Sequence, residues 1–216
     1  MNHPKLLIAT NNKGKVKEIR DLLKDFRIEL VTPHDIGIKL HVAEDGKTYA
    51  ENAAKKALAF ARTSGLISLA DDSGLEVDAL NGAPGLYSNR YNPSLSLPPN
   101  STNFGGDGGG LTDADRRAYL LKNLKGKPLP WIATFHATIA IAIPNNSSVQ
   151  FAVGECRGEI ISEERGTGGF GYDPIFFISG TNHTMAELSM EEKNRLSHRA
   201  RAIMNAKPIL KDIFDL

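Results

Sequence analysis

The chain has little of what several classes of protein require. One cysteine, Cys156, stands among 216 residues, which excludes a disulfide within the chain. No apolar run reaches the roughly 18 residues of a membrane-spanning helix, and the opening stretch MNHPKLLIAT lacks the pattern of a secretion signal. The formal net charge is +1, so bulk electrostatics supports neither a nucleic-acid nor a membrane partner. We therefore expect a cytoplasmic protein with a small-molecule partner.

The apolar residues that are present predict an α/β fold. They make up 41% of the chain, enough to bury a sizeable core in one domain, residues 1–216, with or without a small lobe. Apolar spacing and capping signatures assign the elements. In chain order these are strand 6–10, helix 16–26, strand 28–31, helix 48–62, strand 67–70, a hairpin of strands 132–143 and 149–161, and helix 189–206. This order favours a long mixed β-sheet flanked by helices.

One segment, 92–110, interrupts the order of elements. Its sequence, NPSLSLPPNSTNFGGDGGG, is rich in Pro, Gly, Ser and Asn and has no apolar period. Such composition predicts a flexible insertion. Two interpretations are open, a surface loop without function and a functional segment that serves as a mobile lid or a partner contact.

The stretch TNNKGK, residues 10–15, joins the first predicted strand to the first predicted helix. Free backbone N–H groups and the positive end of the helix dipole favour an anion such as phosphate at such a place. A tight turn, amide donors and positive charge come from Asn11, Asn12, Lys13, Gly14 and Lys15. The spacing of a Walker A loop is absent, so the alternative is a soluble turn with a charged helix start.

Adjacent acids follow the strand predicted at 67–70. Consecutive strand residues point to opposite faces, so Asp71 and Asp72 can share a pocket only if the strand ends there, as Ser73 and Gly74 suggest. Magnesium prefers carboxylate oxygens and keeps waters and substrate phosphates in its shell, so few acids suffice. Glu44 is a candidate second ligand. The alternative is that the acids cap a turn.

Two further stretches carry candidate residues for binding a nucleoside. In GTGGFGYDPIFF, residues 166–177, Phe170 and Tyr172 offer flat faces on which a base can stack. The alternative is a bulged loop with aromatic residues in the core. In EEKNRLSHRARAIM, residues 191–204, the cations lie off the apolar helix face, and the alternative is a charged outer face.

Together, TNNKGKVKE, DDSGLEVDALNGAPGLYSNRY, GTGGFGYDPIF and AELSMEEKNRLSHR resemble the motifs of the inosine triphosphate pyrophosphatase family. The resemblance covers nearly the whole chain, with four motifs in the family's order. It implies Mg²⁺-dependent hydrolysis of ITP, dITP or XTP to the monophosphate and pyrophosphate. It also implies a homodimer and an active-site cleft between two lobes of an α/β fold. The segment 92–110 departs from the family, which has a shorter link there.

The resemblance implies roles at the phosphate end of the substrate. Thr10, Asn12 and Lys15 match the phosphate loop, and Lys56 matches a lysine of the second helix. Glu44 and Asp72 match the metal ligands, with Asp72 also the base for the attacking water and Asp71 a supporting residue. The implied catalytic set is Lys15, Glu44 and Asp72.

The resemblance also implies a site for the nucleoside. Ser73 matches a substrate contact. The base and sugar loop corresponds to Phe170, Gly171, Tyr172 and Asp173, and the base-edge set to Lys193, His198 and Arg199. Two other functions are open: a pyrophosphatase for other modified nucleotides and a nucleotide-binding module without turnover. The paired acids argue against the module, which would not need them.

Overall fold

The computed structural model describes residues 3–92 and 112–216, and it confirms the predicted α/β fold with a mixed sheet. The strands are β1 Lys5–Ile8, β2 Glu29–Val31, β3 Ile67–Val77, β4 Pro84–Gly85, β5 Trp131–Ala142, β6 Val149–Ile160 and β7 Phe176–Ile178. The helices are α1 Lys13–Leu22, α2 Tyr49–Ser64, α3 Asp113–Leu124, α4 Met190–Leu196 and α5 His198–Phe214.

Parallel and antiparallel pairs make up a seven-stranded sheet. Its strand order is β2-β1-β3-β5-β6-β7, with β4 paired to β3. β1 runs parallel to both neighbours, with Leu6 opposite Leu30 of β2 and Ile67 of β3. The β3–β4 and β6–β7 pairs are antiparallel. The opening β-α-β-α order predicted from apolar spacing is confirmed.

The described residues divide into two compact units. The first comprises the chain up to Ser73, His136–Glu155 and Asn194–Leu216, and the second comprises the described parts of Gly74–Phe135 and Cys156–Lys193. The single-domain organisation of residues 1–216 stays a prediction. In the described ranges, no helix is long and apolar enough to cross a membrane.

In the first unit, helices cover both faces of the sheet. Alternate residues of β1 point to opposite faces, so Leu6 and Ile8 join one core cluster while Leu7 joins another. The first cluster includes residues of α1 and α5, and the second includes the alanine-rich face of α2. Along β3, Leu69 belongs to the α1–α5 side and Ala70 to the α2 side. This alternation decides which helix each following residue of β3 faces.

Two predicted boundaries are wrong. β3 does not end at Ser73 but continues to Val77, because Leu75 and Val77 are fully buried in the core of the second unit. The helix predicted for 189–206 is two helices. Ser197 has an extended backbone between them, and its hydroxyl caps α5 by accepting a hydrogen bond from the Ala200 amide at 3.1 Å.

The other predicted elements are present, and the structure adds β4, α3 and β7, which were not predicted. The hairpin strands predicted at 132–143 and 149–161 are confirmed as β5 and β6. The capping interaction predicted for Thr48 is confirmed, since its hydroxyl accepts from the Glu51 amide at 3.1 Å. Of the insertion predicted at 92–110, the structure describes only Asn92, and the rest lies outside the described residues.

Candidate functional site

The phosphate-loop residues lie where β1 gives way to α1. Asn12 is the N-cap of α1, and its side-chain oxygen accepts from the Lys15 amide at 3.0 Å. The Thr10 hydroxyl accepts from the Asn12 amide at 3.1 Å, which fixes the turn. No acidic residue lies in the first turn of α1. Asn11 and Lys13 are exposed and Gly14 is half-buried. The positive end of the α1 dipole is therefore accessible to an anion.

Asp71 and Asp72 point to opposite faces of β3 because that strand continues past them. Asp71 lies on the same face of β3 as Leu69 and contacts Lys15 of α1 and Arg199 of α5. Asp72 lies on the same face as Ala70 and contacts residues of α2. The prediction that one carboxylate carries the chemistry and the other supports it has a geometric basis in this alternation. Each acid has its own lysine, Lys15 for Asp71 and Lys56 for Asp72.

On the first face, Asp71 accepts from two buried cations. Lys15 Nζ lies 3.0 Å from one carboxylate oxygen and Arg199 Nε lies 2.5 Å from the other. Burial alone would raise the pKa of Asp71, but Arg199 and Lys15 outweigh it and hold that pKa far below its ordinary value. Burial lowers the pKa of Lys15, partly opposed by Asp71. The pair is therefore a charged contact kept away from solvent.

Arg199 is buried in a network of its own. Its Nη1 donates to Glu18 at 2.5 Å and its Nη2 donates to the Ser73 hydroxyl at 3.0 Å, and its side chain is 3% exposed. A cation in the first turn of a helix opposes the helix dipole, and the carboxylates of Glu18 and Asp71 offset that cost. The charged outer face considered for this segment is absent at Arg199. Its predicted role at the base edge stays a prediction.

On the second face, Lys56 connects both predicted metal ligands. Its Nζ lies 2.8 Å from Glu44 Oε1, 3.3 Å from Asp72 Oδ1 and 2.8 Å from the Asp71 carbonyl oxygen. Asn52 donates to the other Asp72 oxygen at 3.2 Å. Burial raises the pKa of Asp72 despite Lys56 and Lys15. Burial would lower the pKa of Lys56, but Asp72 and Glu44 raise it above the ordinary value.

The charge balance of this unit suits a divalent cation. Its described residues form two ion-pair groups at the candidate site. Lys15 and Arg199 pair with Asp71 and Glu18, whereas Lys56 pairs with both Glu44 and Asp72, which leaves the second group with an excess of negative charge. Across residues 3–92 and 112–216, no group of three or more His, Cys, Asp or Glu side chains is arranged to hold a metal. Mg²⁺ commonly takes one or two protein carboxylates and completes its shell with water and phosphate. The donor set of Glu44 and Asp72 therefore fits that ion.

The second unit holds the predicted base loop. Asp173 fixes it from inside, since its carboxylate accepts from the Phe170 amide at 2.9 Å and from Lys193 Nζ at 2.7 Å. Lys193 Nζ also lies 5.2 Å from the centre of the half-buried Phe170 ring. Tyr172 packs in the core, and its hydroxyl donates to the Ser88 carbonyl at 2.9 Å. The core-residue alternative fits Tyr172, whereas Phe170 remains a candidate stacking surface.

The predicted site residues thus fall into two sets. The first unit contains the phosphate loop, Glu44, Lys56, Asp72, Ser73, His198 and Arg199. The second contains Phe170, Gly171, Tyr172, Asp173 and Lys193. His198 is buried and begins α5, next to the capping Ser197.

Sequence reasoning missed two residues that hold the charged side chains. Asn52 lies four positions before Lys56, and Glu18 lies three positions after Lys15. Such spacings place two residues on one helix face, so a search for polar neighbours at these spacings would find both. Both are almost fully buried, at 2% and 4% exposure, and they contact the candidate residues Asp72 and Arg199 respectively.

The similarity of this chain to known proteins covers nearly its whole length, beyond the four motifs. A model described as the Ham1 family matches residues 6–209. A dITP/XTP pyrophosphatase of Desulfotalea psychrophila is 45% identical over 204 residues, 94% of this chain and 84% of that protein. A dITP/XTP pyrophosphatase of Desulforamulus reducens is 46% identical over 97% of each chain. These matches cover almost every described element.

Solved structures show the same fold. A HAM1 protein from Coxiella burnetii matches with a TM-score of 0.81 at 36% identity, covering 97% of this chain and 99% of that one. The Ham1 protein of Staphylococcus aureus matches with a TM-score of 0.78 at 33% identity, covering 97% and 99%. The α/β fold of this chain is therefore shared with these proteins.

Proposed function

The chain belongs to the Ham1 family, and from that premise we propose that it hydrolyses the non-standard purine nucleotides ITP, dITP and XTP. The products are the nucleoside monophosphate and pyrophosphate, and the role is to clear such nucleotides from the cellular pool. The observation that carries the proposal is the pair of acids on opposite faces of β3, each held by its own buried lysine.

The triphosphate is bound by the start of α1. Backbone N–H groups of its first turn and the Lys15 ammonium attract the phosphate oxygens. Asp71 holds Lys15 in place by accepting a hydrogen bond from its ammonium at 3.0 Å. Arg199 holds the Ser73 hydroxyl in place by donating to it at 3.0 Å. Positioning and charge neutralisation supply most of the catalysis in reactions at phosphorus.

Glu44 and Asp72 would hold Mg²⁺, which supplies positive charge to the phosphate oxygens when bound. Asp72 accepts the proton of the attacking water, for which its raised pKa suits it. Asn52 keeps one Asp72 oxygen oriented, at 3.2 Å. Lys56 neutralises charge beside both carboxylates.

The nucleoside is recognised by the base loop. The half-buried Phe170 ring offers a stacking face, and Lys193 next to it donates to groups on the purine edge. His198 and Arg199 are proposed to contribute at the base edge as well. An oxygen at purine position 6 accepts such hydrogen bonds, whereas the amino group of adenine does not.

A panel of nucleoside triphosphates tests the proposal. We expect pyrophosphate release from ITP, dITP and XTP to exceed that from ATP by about 10- to 1,000-fold in kcat/KM, because buried donors facing adenine would lose their partners. Preferred release from modified pyrimidine nucleotides would favour the other pyrophosphatase activity. Nucleotide binding without any release would favour the module without turnover.

We also propose that the protein is a cytoplasmic homodimer. Phe151 and Val153 lie on the outward side of β6 with 45% and 60% of their surface exposed, and adjacent exposed apolar side chains favour burial against a partner. A C₂ dimer would bring this same surface together from two copies. Cell fractionation checks the location.

A further inference from the structure

The main chain of Gly171 is held at both its amide and its carbonyl group by one helix. Its amide donates to Asp113 Oδ2 at 2.7 Å, and its carbonyl oxygen accepts from Arg117 Nη1 at 2.9 Å. Both partners belong to α3, which is far from Gly171 in sequence. Both contacts are charge-assisted, the stronger class of protein hydrogen bond.

Helix α3 is built to present these two side chains together. Asp113 and Arg117 lie four residues apart and so share one face of the helix. A capping box between Thr112 and Asp115 fixes where the helix begins. Arg117 is fixed in turn by Glu164, with Nε and Nη2 donating at 2.8 and 2.9 Å. The two contacts therefore come from a rigid support.

Gly171 stands at the centre of the base loop. It lies between Phe170 and Tyr172 and has a left-handed backbone with φ of 63°. Tyr172 is anchored in the core, so a movement of the Gly171 peptide is passed to Phe170. The Phe170 amide is bound in turn to Asp173, whose carboxylate holds Lys193. The orientation of the stacking ring thus depends on how firmly the two peptide groups that flank the Gly171 Cα are held.

We propose that Asp113 and Arg117 are positioning residues that fix the base loop and thereby the affinity for the purine. Neither residue touches the substrate in this proposal, which rests on the proposed function of Phe170 and Lys193. The clamp acts on binding of the nucleoside and leaves the chemistry at phosphorus unchanged. Loss of the two hydrogen bonds to Gly171 therefore raises KM and leaves kcat unchanged.

Backbone amide exchange tests the clamp without substrate. We expect Asp113→Ala and Arg117→Ala to speed exchange at residues 170–173 by about tenfold or more, as loss of a charge-assisted hydrogen bond implies. Matched controls are Asp115→Ala, which removes an acid and a cap from the same turn, and Lys122→Ala, at an exposed position of the same helix. Unchanged exchange at residues 170–173, or equal acceleration in the controls, overturns the clamp.

Kinetics with dITP then tests its consequence. For both variants we expect KM to rise by about tenfold with kcat within about twofold of wild type. Asp113→Asn keeps an oxygen acceptor and is expected to retain most of the affinity that Asp113→Ala loses. It replaces Asp113→Ala in both experiments if that variant does not fold. Faster exchange with an unchanged KM, or a loss of kcat alone, overturns the positioning role. If the wild-type protein releases no pyrophosphate, the proposed function fails, while the exchange experiment still decides whether the clamp exists.

Discussion

At the scale of the residue, the adjacent acids Asp71 and Asp72 have different surroundings, and their pKa values shift in opposite directions. Asp71 is fully buried between Lys15 and Arg199, which hold its pKa far below the ordinary value even though burial opposes them. Asp72 has its pKa raised by burial and keeps a contact with Lys56 at 3.3 Å. The first is suited to structural pairing and the second to accepting a proton.

Asp72→Asn should abolish turnover and preserve binding. Asparagine keeps the size of the side chain but cannot serve as a base, which predicts a fall in kcat of about 10²–10⁴-fold. Pyrophosphate release measures the first effect and calorimetric binding of dITP the second. Asp78→Asn, at an exposed position just after β3, is the control and should behave as wild type. Near-wild-type release by Asp72→Asn would contradict the assignment of the base.

Asp71→Asn should chiefly reduce stability. Removing one member of a buried ion pair leaves Lys15 and Arg199 without their shared carboxylate, at an expected cost of about 3–5 kcal/mol in the free energy of unfolding. Urea unfolding at neutral pH measures it. The exposed pair of Lys55 and Asp45 gives the control, since Asp45→Asn should leave the urea midpoint nearly unchanged. Similar losses in both variants would contradict the buried network.

At the scale of the element, β6 packs directly against α5 through a glycine. A Cβ at Gly154 would meet the Ala202 nitrogen and the His198 oxygen at 2.3 Å, and both are backbone atoms. Backbone atoms of a packed helix cannot move aside as a flexible side chain can. Gly154 therefore sets the distance between the strand and the helix that carries Arg199.

Gly154→Ala should destabilise the fold and disturb the start of α5. Overpacking of a core contact typically costs about 1–3 kcal/mol, and contact with backbone on both sides favours the upper end. Thermal and urea unfolding measure the loss. Gln150→Thr, at an exposed position of the same strand, should stay within about 0.5 kcal/mol of wild type. An unchanged stability of Gly154→Ala would show that α5 is free to shift.

At the scale of the whole molecule, the proposed dimer would be stabilised mainly by apolar burial, because the net charge of the chain is close to zero. The net charge of +1 gives two copies little mutual repulsion. In the first unit, Phe151 and Val153 are among the exposed large apolar residues. Their surface on β6 is the proposed dimer interface.

Val153→Glu should shift the proposed dimer to the monomer. Two copies of the carboxylate would be buried near one another at a symmetric interface, which costs more than the apolar contact contributes. Sedimentation velocity over a range of protein concentrations measures the change. Leu129→Glu, at a residue 74% exposed in the other unit, is the control and should leave the association unchanged. A monomeric wild-type protein would contradict the dimer itself.

The sequence by itself determined the order of most elements and the identity of the charged residues. Apolar period and capping signatures depend on local chemistry, so β1, α2, the β5–β6 hairpin and the family motifs could be read directly. The break at Ser197 escaped, because apolar spacing continues through it and only its capping contact with Ala200 marks a new helix. The true length of β3 escaped because the Ser-Gly pair resembles a strand end.

Only the tertiary structure decided which charges meet. Lys15 and Arg199 reach Asp71 from 56 and 128 positions away, and Asp113 reaches Gly171 across 58. Such pairings depend on which face of the sheet each helix covers, and local propensity does not encode that choice. Burial in turn decided the protonation preferences, because desolvation acts on Asp72 and Lys15 only once the helices have closed over β3.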